Sequence, residues 1–214
     1  MIKAFLLIFR PVTTWNNIAV ANRSVLYIFL LHVLPLILLT SFAEGYALTH
    51  WGKSHGAGNK HVKIYTVPEA VTVEITISLV YVGLVFLLAA AARAYSSTFH
   101  RRSTFTQAFT AMGYGVLPFF CWRLLDMWNG LFPWIPWAIG MVLTIGVIYT
   151  GLPCLLRPDP PHAFGLYVMT SLTAVIVFGL WRLLTWQFFL GRLPEVEKIV
   201  TQIAGGVAGG PPPP

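Results

Sequence analysis

The chain has 214 residues, 57% of them hydrophobic and 10% charged, against about 25% charged in a soluble domain, which excludes an ordinary soluble enzyme. Each helical bilayer crossing takes about 20 apolar residues, so five crossings use roughly half the chain and leave only short connections. The net charge of +7 is spread over every connecting segment with no basic stripe interleaved by aromatics, which fits anionic lipid headgroups and not nucleic acid.

The opening run Met1 to Phe9 is too short to span. Its Ile2, Phe5, Leu6 and Phe9 recur at helical spacing, so it reads as an amphipathic interfacial helix, retained in the mature protein and followed by the polar Thr13, Thr14, Asn16 and Asn17. Trp15 stands where an indole anchors at headgroup level. Residues 1–22 make this interfacial segment and residues 23–192 the membrane domain. Spans are predicted at about 25–47, 71–92, 105–125, 131–149 and 163–189, the third the least hydrophobic and the fifth longer than the hydrocarbon requires. The fourth opens on Phe132-Pro133-Trp134-Ile135-Pro136-Trp137, an aromatic belt with proline at a tolerated helix start. Arg157-Pro158-Asp159-Pro160-Pro161-His162 cannot be helical. Residues 193–214 are a weakly amphipathic segment, Leu193 to Ile203, and a Gly/Pro-rich tail. The expected fold is all-α: a polytopic five-helix transmembrane bundle.

With the N-terminus inside, Lys3, Arg10, Arg23, Arg93, Arg101, Arg102 and Arg157 fall inside, and Lys53, Lys60, Lys63, Arg123, Arg192 and Lys198 outside, with Arg182 within the last span. Seven against six is nearly even. The compact arginine clusters beside span ends favour the N-terminus inside and the C-terminus outside.

An ionisable residue within a span is a functional hypothesis by default. His32 lies in the first span and Glu74 near the start of the second, where each serves either a hydrogen bond between helices or a proton or transport role. Arg123 and Asp126, at i and i+3, can pair locally and sit near the interface. Arg182, beside Trp181 and Trp186, can snorkel to the outer headgroups, or contact a lipid or partner. The indoles Trp15, Trp134, Trp137, Trp181 and Trp186 are candidate interfacial anchors. His50, His55 and His61 share a polar loop with irregular spacing and read as solvated rather than as a metal site, while Cys121 and Cys154 form neither a C-x-x-C nor a Cys/His cluster. No paired nucleophile and base occurs in a known motif, so the sequence predicts no catalytic residue, no cofactor and no metal.

In the third span Gly113-Tyr114-Gly115-Val116-Leu117-Pro118 resembles the Gly-Tyr-x-x-x-Pro signature of the Yip family, five-span membrane proteins whose eukaryotic members act in vesicle trafficking. Pro11-Val12-Thr13-Thr14-Trp15, followed by Ile18, is similar to the opening of bacterial members, and Tyr149-Thr150-Gly151-Leu152-Pro153 to their Tyr-x-Gly-x-Pro end of the fourth span. The resemblance implies the fold and a bacterial-type member, hence a protein of the bacterial inner membrane. The chain lacks the Asp-Leu-Tyr-Gly-Pro element and long cytosolic tail of eukaryotic relatives, so binding to a Rab-type GTPase is not implied. Physically, Gly113, Tyr114, Gly115, Pro118, Tyr149, Gly151 and Pro153 suit helix packing, because small residues let helices approach where lipid offers no hydrophobic drive.

The leading functional expectation is a non-enzymatic membrane-organising scaffold, or an accessory subunit packed against a larger complex, whose partners are lipids, other integral subunits or a second copy. The competing class is a small transporter or channel using ionisable residues within the spans. It calls for broken helices at matching positions of two halves, and only Pro35 and Pro118 offer them. A quinone- or haem-binding subunit calls for paired span histidines, and only His32 qualifies.

Overall fold

The computed structural model describes residues 6–7, 11–55, 61–98, 103–128, 130–156 and 162–207. Most of the predicted Met1–Phe9 helix, the loop of residues 157–161 and the tail of residues 208–214 therefore lie outside the described residues.

Helix α1 (Pro11–Ala21) carries proline at its first position, where the missing N–H has no intrahelical partner anyway. Thr13, Thr14, Asn16 and Asn17 are thus helical rather than a polar connection. Asn22, at φ 37°, ends α1 in the left-handed region that asparagine tolerates. Two residues later the Ser24 side chain accepts a hydrogen bond from the Tyr27 N–H and starts α2.

Five helices are long and apolar enough to cross a membrane among the described residues: α2 (Val25–His50), α3 (Val67–Thr98), α4 (Phe105–Met127), α5 (Trp134–Leu156) and α6 (Ala163–Phe189). Several run beyond the predicted spans, because amide groups at each end still gain helical bonds outside the apolar stretch. In α3 the first turn is fixed by Glu69, which accepts from both the N–H and the hydroxyl of Thr66. The fourth span starts at Trp134 and continues through Pro153 to Leu156, not stopping at Tyr149. Proline so near a helix end forfeits only one hydrogen bond.

Pro68 and Pro136 sit in first turns, whereas two prolines deeper inside spans distort their helices. Pro35 cannot donate to the carbonyl of Leu31, and its ring crowds that carbonyl; the chain answers with a π-helical turn, Phe29–Val33, just before it. Pro118 likewise leaves the Tyr114 carbonyl without its helical donor, and α4 breaks at Val116 between Phe105–Gly115 and Leu117–Arg123. The Thr104–Gln107 capping box, with reciprocal bonds of 3.0 and 3.3 Å, sets where α4 begins.

Helix α4 is the centre of the bundle: every residue from Ala108 to Phe120 is buried. Its third-span polarity follows from this, since a helix surrounded by other helices needs no lipid-compatible face. Helices α3 and α5 flank it, α2 packs on α3 and on the end of α4, and α6 packs on α3.

Between α2 and α3 the chain makes an antiparallel hairpin, β1 (Lys53–His55) and β2 (His61–Lys63), with Lys53 opposite Lys63. Gly52 permits it: at φ 67° a Cβ would stand 2.4 Å from the Lys63 carbonyl oxygen. After α6, α7 (Pro194–Val207) folds back on α3, and Lys63 forms an ion pair with Glu197. The hairpin, α7 and the C-terminal ends of α2, α4 and α6 occupy one end of the bundle; α1 lies at the other.

Candidate functional site

At the end where α1 packs, the three resemblance motifs meet. The Trp15 indole is fully buried against α5, its N–H donating to the Val147 carbonyl at 3.2 Å. A Cβ on Gly151 would lie 2.4 Å from that ring, so only glycine leaves the slot open. The Tyr114 ring meets Trp15 edge-on at 6.3 Å and His32 at 5.0 Å. A Cβ on Gly115 would lie 2.8 Å from Ile148, and one on Gly113 would be in ordinary contact with Ile28 and Val33. Tyr149 is exposed and packs on Tyr167 at 4.9 Å. Trp15 is therefore not a headgroup anchor. It is buried because a slot and a carbonyl acceptor satisfy both halves of the indole.

The opposite end holds a chain of charged side chains within the bundle. Glu44 of α2 pairs with Lys53 through one oxygen and accepts from Arg123 Nη2 at 2.6 Å through the other. Arg123, on α4, also donates to the Thr40 hydroxyl at 3.3 Å and lies 4.3 Å above the Tyr81 ring of α3. Its Nε is 3.8 Å from Asp126, whose two oxygens take a fork of bonds, 3.0 and 2.7 Å, from Arg182 of α6. Arg182 donates further to the Pro133 carbonyl at 2.5 Å. Glu44, Arg123, Asp126 and Arg182 are 2%, 5%, 8% and 5% exposed, so these are buried ion pairs and not surface ones. Pairing of this kind is what makes charge tolerable in a low-dielectric interior, and the Arg182–carboxylate fork is its strongest form.

Two expectations are corrected here. Arg123 and Asp126 touch as predicted by their spacing, but both are buried within the bundle and their shorter bonds run to Glu44 and Arg182 on other helices. Arg182 does not snorkel; it turns inward because Asp126 offers a desolvated bidentate acceptor. Of the remaining indoles, Trp181 and Trp137 pack against the bundle core rather than standing free as anchors, Trp181 meeting Tyr81 edge-on at 6.3 Å. Trp134 lies between Trp137 and Trp186, at 5.5 and 6.1 Å, and Trp186 borders a cleft of about 330 Å³ with Lys53, Asp126 and Arg182 in its walls. His50 stacks on Tyr46 at 3.9 Å. His61 stands opposite His55 across the hairpin.

The sequence reading missed Glu44, Lys53 and Tyr81. The signal was present: Glu44 lies inside the predicted first span, and a tally of the predicted spans gives Glu44 and Glu74 against Arg123 and Arg182, with Asp126 one residue beyond the third, balanced numbers that call for mutual pairing. Glu74, 6% exposed, stays outside the chain of pairs; neither of its carboxylate oxygens has a hydrogen-bond partner among the described residues.

Tyr65, outside the spans, is buried between Lys63 and Phe189, with Lys63 Nζ 4.8 Å from its ring centre. Burial raises its hydroxyl above the ordinary value, and the carboxylates of Glu197 and Glu69 raise it further.

Comparison with known proteins adds one finding. The profile of the Yip1 domain matches residues 5–183. No curated protein and no solved structure matches the chain.

Proposed function

The chain belongs to the Yip1 domain family, and on that premise we propose that it is a non-enzymatic membrane protein working through lateral contacts, as a membrane-organising scaffold or an accessory subunit of a larger complex. One observation carries the reading: the buried charges of α2, α4 and α6 are spent on one another, Glu44 with Lys53 and Arg123, Asp126 with Arg182. Side chains so engaged tie helices together, whereas a transport path asks for polar groups that exchange partners with a moving substrate. The outward faces meanwhile carry large apolar side chains, Phe42, Leu79, Val142 and Phe164 among them. They are suited to lipid or to another helix.

The orientation belongs to the same proposal. Removing Arg123 from the loop count, because it is buried inside the bundle, changes the balance to seven Lys and Arg against five and supports an inside N-terminus; a bacterial inner membrane is part of the same proposal. In a variant lacking Cys121 and Cys154, outside reagent is expected to label Ser54→Cys and not Ser103→Cys. The reverse pattern overturns the orientation.

The role is tested by purification in a mild detergent. A stoichiometric integral-membrane partner or a second copy is expected to remain bound. An isolated monomer that carries a proton or ion flux in proteoliposomes, abolished by Glu74→Gln, replaces this reading with a small transporter.

A further inference from the structure

We infer that the lateral cleft between α2 and α3 is a binding site for an ammonium-headed amphiphile, a lipid whose primary amine is held by Glu74 while its chain lies along the two helices. The inference goes beyond the scaffold role and does not require it.

The cleft has a volume of about 480 Å³, within the range of roughly 300–1,000 Å³ of small-molecule sites. It follows α2 from Leu34 to Thr49, fifteen residues or about 22 Å at 1.5 Å per residue. It is therefore long and narrow. Its sides open laterally, with Phe42 and Leu79 largely exposed, so hydrocarbon reaches it directly. Such a shape suits an alkyl chain better than a compact solute.

Glu74 is the one charged residue lining this cleft. A Cβ on Gly45 would lie 3.2 Å from its Cγ, so the side chain rests against bare α2 backbone. The Ser41 hydroxyl is the one described donor beside its carboxylate, and neither oxygen completes a hydrogen bond in this structure. The hydroxyls of Ser41 and Ser78 bond each other at 2.7 Å, and Lys53 and Arg123 are engaged by Glu44. A buried carboxylate without completed hydrogen bonds is costly, and an arriving ligand with N–H groups removes that cost.

Position along the helices sorts the lining: its polar groups, Glu74 among them, lie toward the hairpin, and its other end is apolar. Glu74 stands seven residues from the start of α3, about 10 Å along the axis. Toward the hairpin end Tyr46 and Thr49 line it together with the apolar Val67, Ala70 and Val71; at the other end are only Leu34, Leu38, Leu79 and Val82. An amphiphile has this polarity along its length. A partner helix does not, since its backbone N–H groups are spent on its own hydrogen bonds, and a trimethylated headgroup has no N–H to offer.

The test uses the full-length protein in detergent with added dioleoylphosphatidylethanolamine or dioleoylphosphatidylcholine, counting bound lipid by native mass spectrometry. Wild type is expected to retain the ethanolamine lipid about tenfold more, as one charge-assisted hydrogen bond allows. Glu74→Ala should remove that preference, and Ser78→Leu, which fills the cleft and keeps the carboxylate, should lower retention of both lipids. Equal retention of the two lipids by wild type overturns the proposal, as does a preference that survives Glu74→Ala. Should Glu74→Ala fail to fold, undiminished retention by Ser78→Leu overturns it as well. So does crosslinking of Leu79→Cys to a protein chain in the membrane, which would make the cleft a helix-docking surface.

Discussion

The two ends of the bundle are held by different physics. Around Trp15 the contacts are steric: an indole in a glycine slot, Gly115 against Ile148, Tyr114 edge-on to Trp15 and His32. Around Arg123 they are ionic, five charged side chains linked from the hairpin through α2 and α4 to α6. Steric fit depends on the sizes of a few neighbouring residues and is recorded in short sequence words. The ionic chain joins residues 79 positions apart, Glu44 and Arg123, and 56 apart, Asp126 and Arg182. No local word can record it.

The comparison breaks first where the ionic end is cut. Asp126→Leu leaves Arg182 buried without its carboxylate, and loss of one partner of a buried pair costs about 3–5 kcal/mol. The double variant Asp126→Leu with Arg182→Leu should recover much of that, because the desolvation penalty leaves with both charges. Thermal unfolding in detergent reads both. If the double variant melts no higher than the single, the chain does more than neutralise itself, and the contrast between the ends must be redrawn.

At the steric end Gly151→Leu must expel the Trp15 ring, forfeiting the burial of one large side chain, about 2–3 kcal/mol. Trp15→Ala in the same protein should make Gly151→Leu nearly silent, since the clash is then gone. Gly113→Leu is expected to cost about 1–3 kcal/mol, because its Cβ only touches Ile28 and Val33 and the longer side chain has to displace them. Gly206→Leu, with open space around it, should stay within about 0.5 kcal/mol. Equal melting of the Gly113 and Gly206 variants would remove the packing role of the third-span motif.

Legibility in the sequence follows the same division. Length and hydropathy yield five helices, and the Gly-Tyr-x-x-x-Pro, Pro-x-Thr-Thr-Trp and Tyr-x-Gly-x-Pro words yield the family, whose profile spans residues 5–183. Trp15 was read as an anchor because an indole beside a span usually is one; only the fold reveals that Gly151, 136 positions later, makes room for it. Arg182 was read as snorkelling because its own helix offers no acceptor, and the acceptor comes from α4. Glu44 is hidden for the same reason, its partners Lys53 and Arg123 coming from the hairpin and from α4. The amphipathic α7 was read as weak, yet its Glu197 reaches back to Lys63.

The smallest expected effect sharpens the comparison through pH. Tyr65 lies at the ionic end, outside the spans, and its hydroxyl is held above the ordinary value of 10.0 by burial and by Glu197 and Glu69. The unfolded chain therefore loses this proton before the folded one does. Between those two values the folded state binds more protons, so stability falls as pH rises. The contribution is complete below pH 10 and disappears progressively above it. Unfolding followed from pH 8 to 11 should be flat at first and then decline, and Tyr65→Phe should make the decline shallower. Trp15→Phe at the steric end should lower the whole curve without altering its slope, because neither the indole nor the phenyl ring exchanges a proton over this range. A Tyr65→Phe curve parallel to wild type would show that the alkaline response arises elsewhere, and the contrast between the two ends would lose its pH signature.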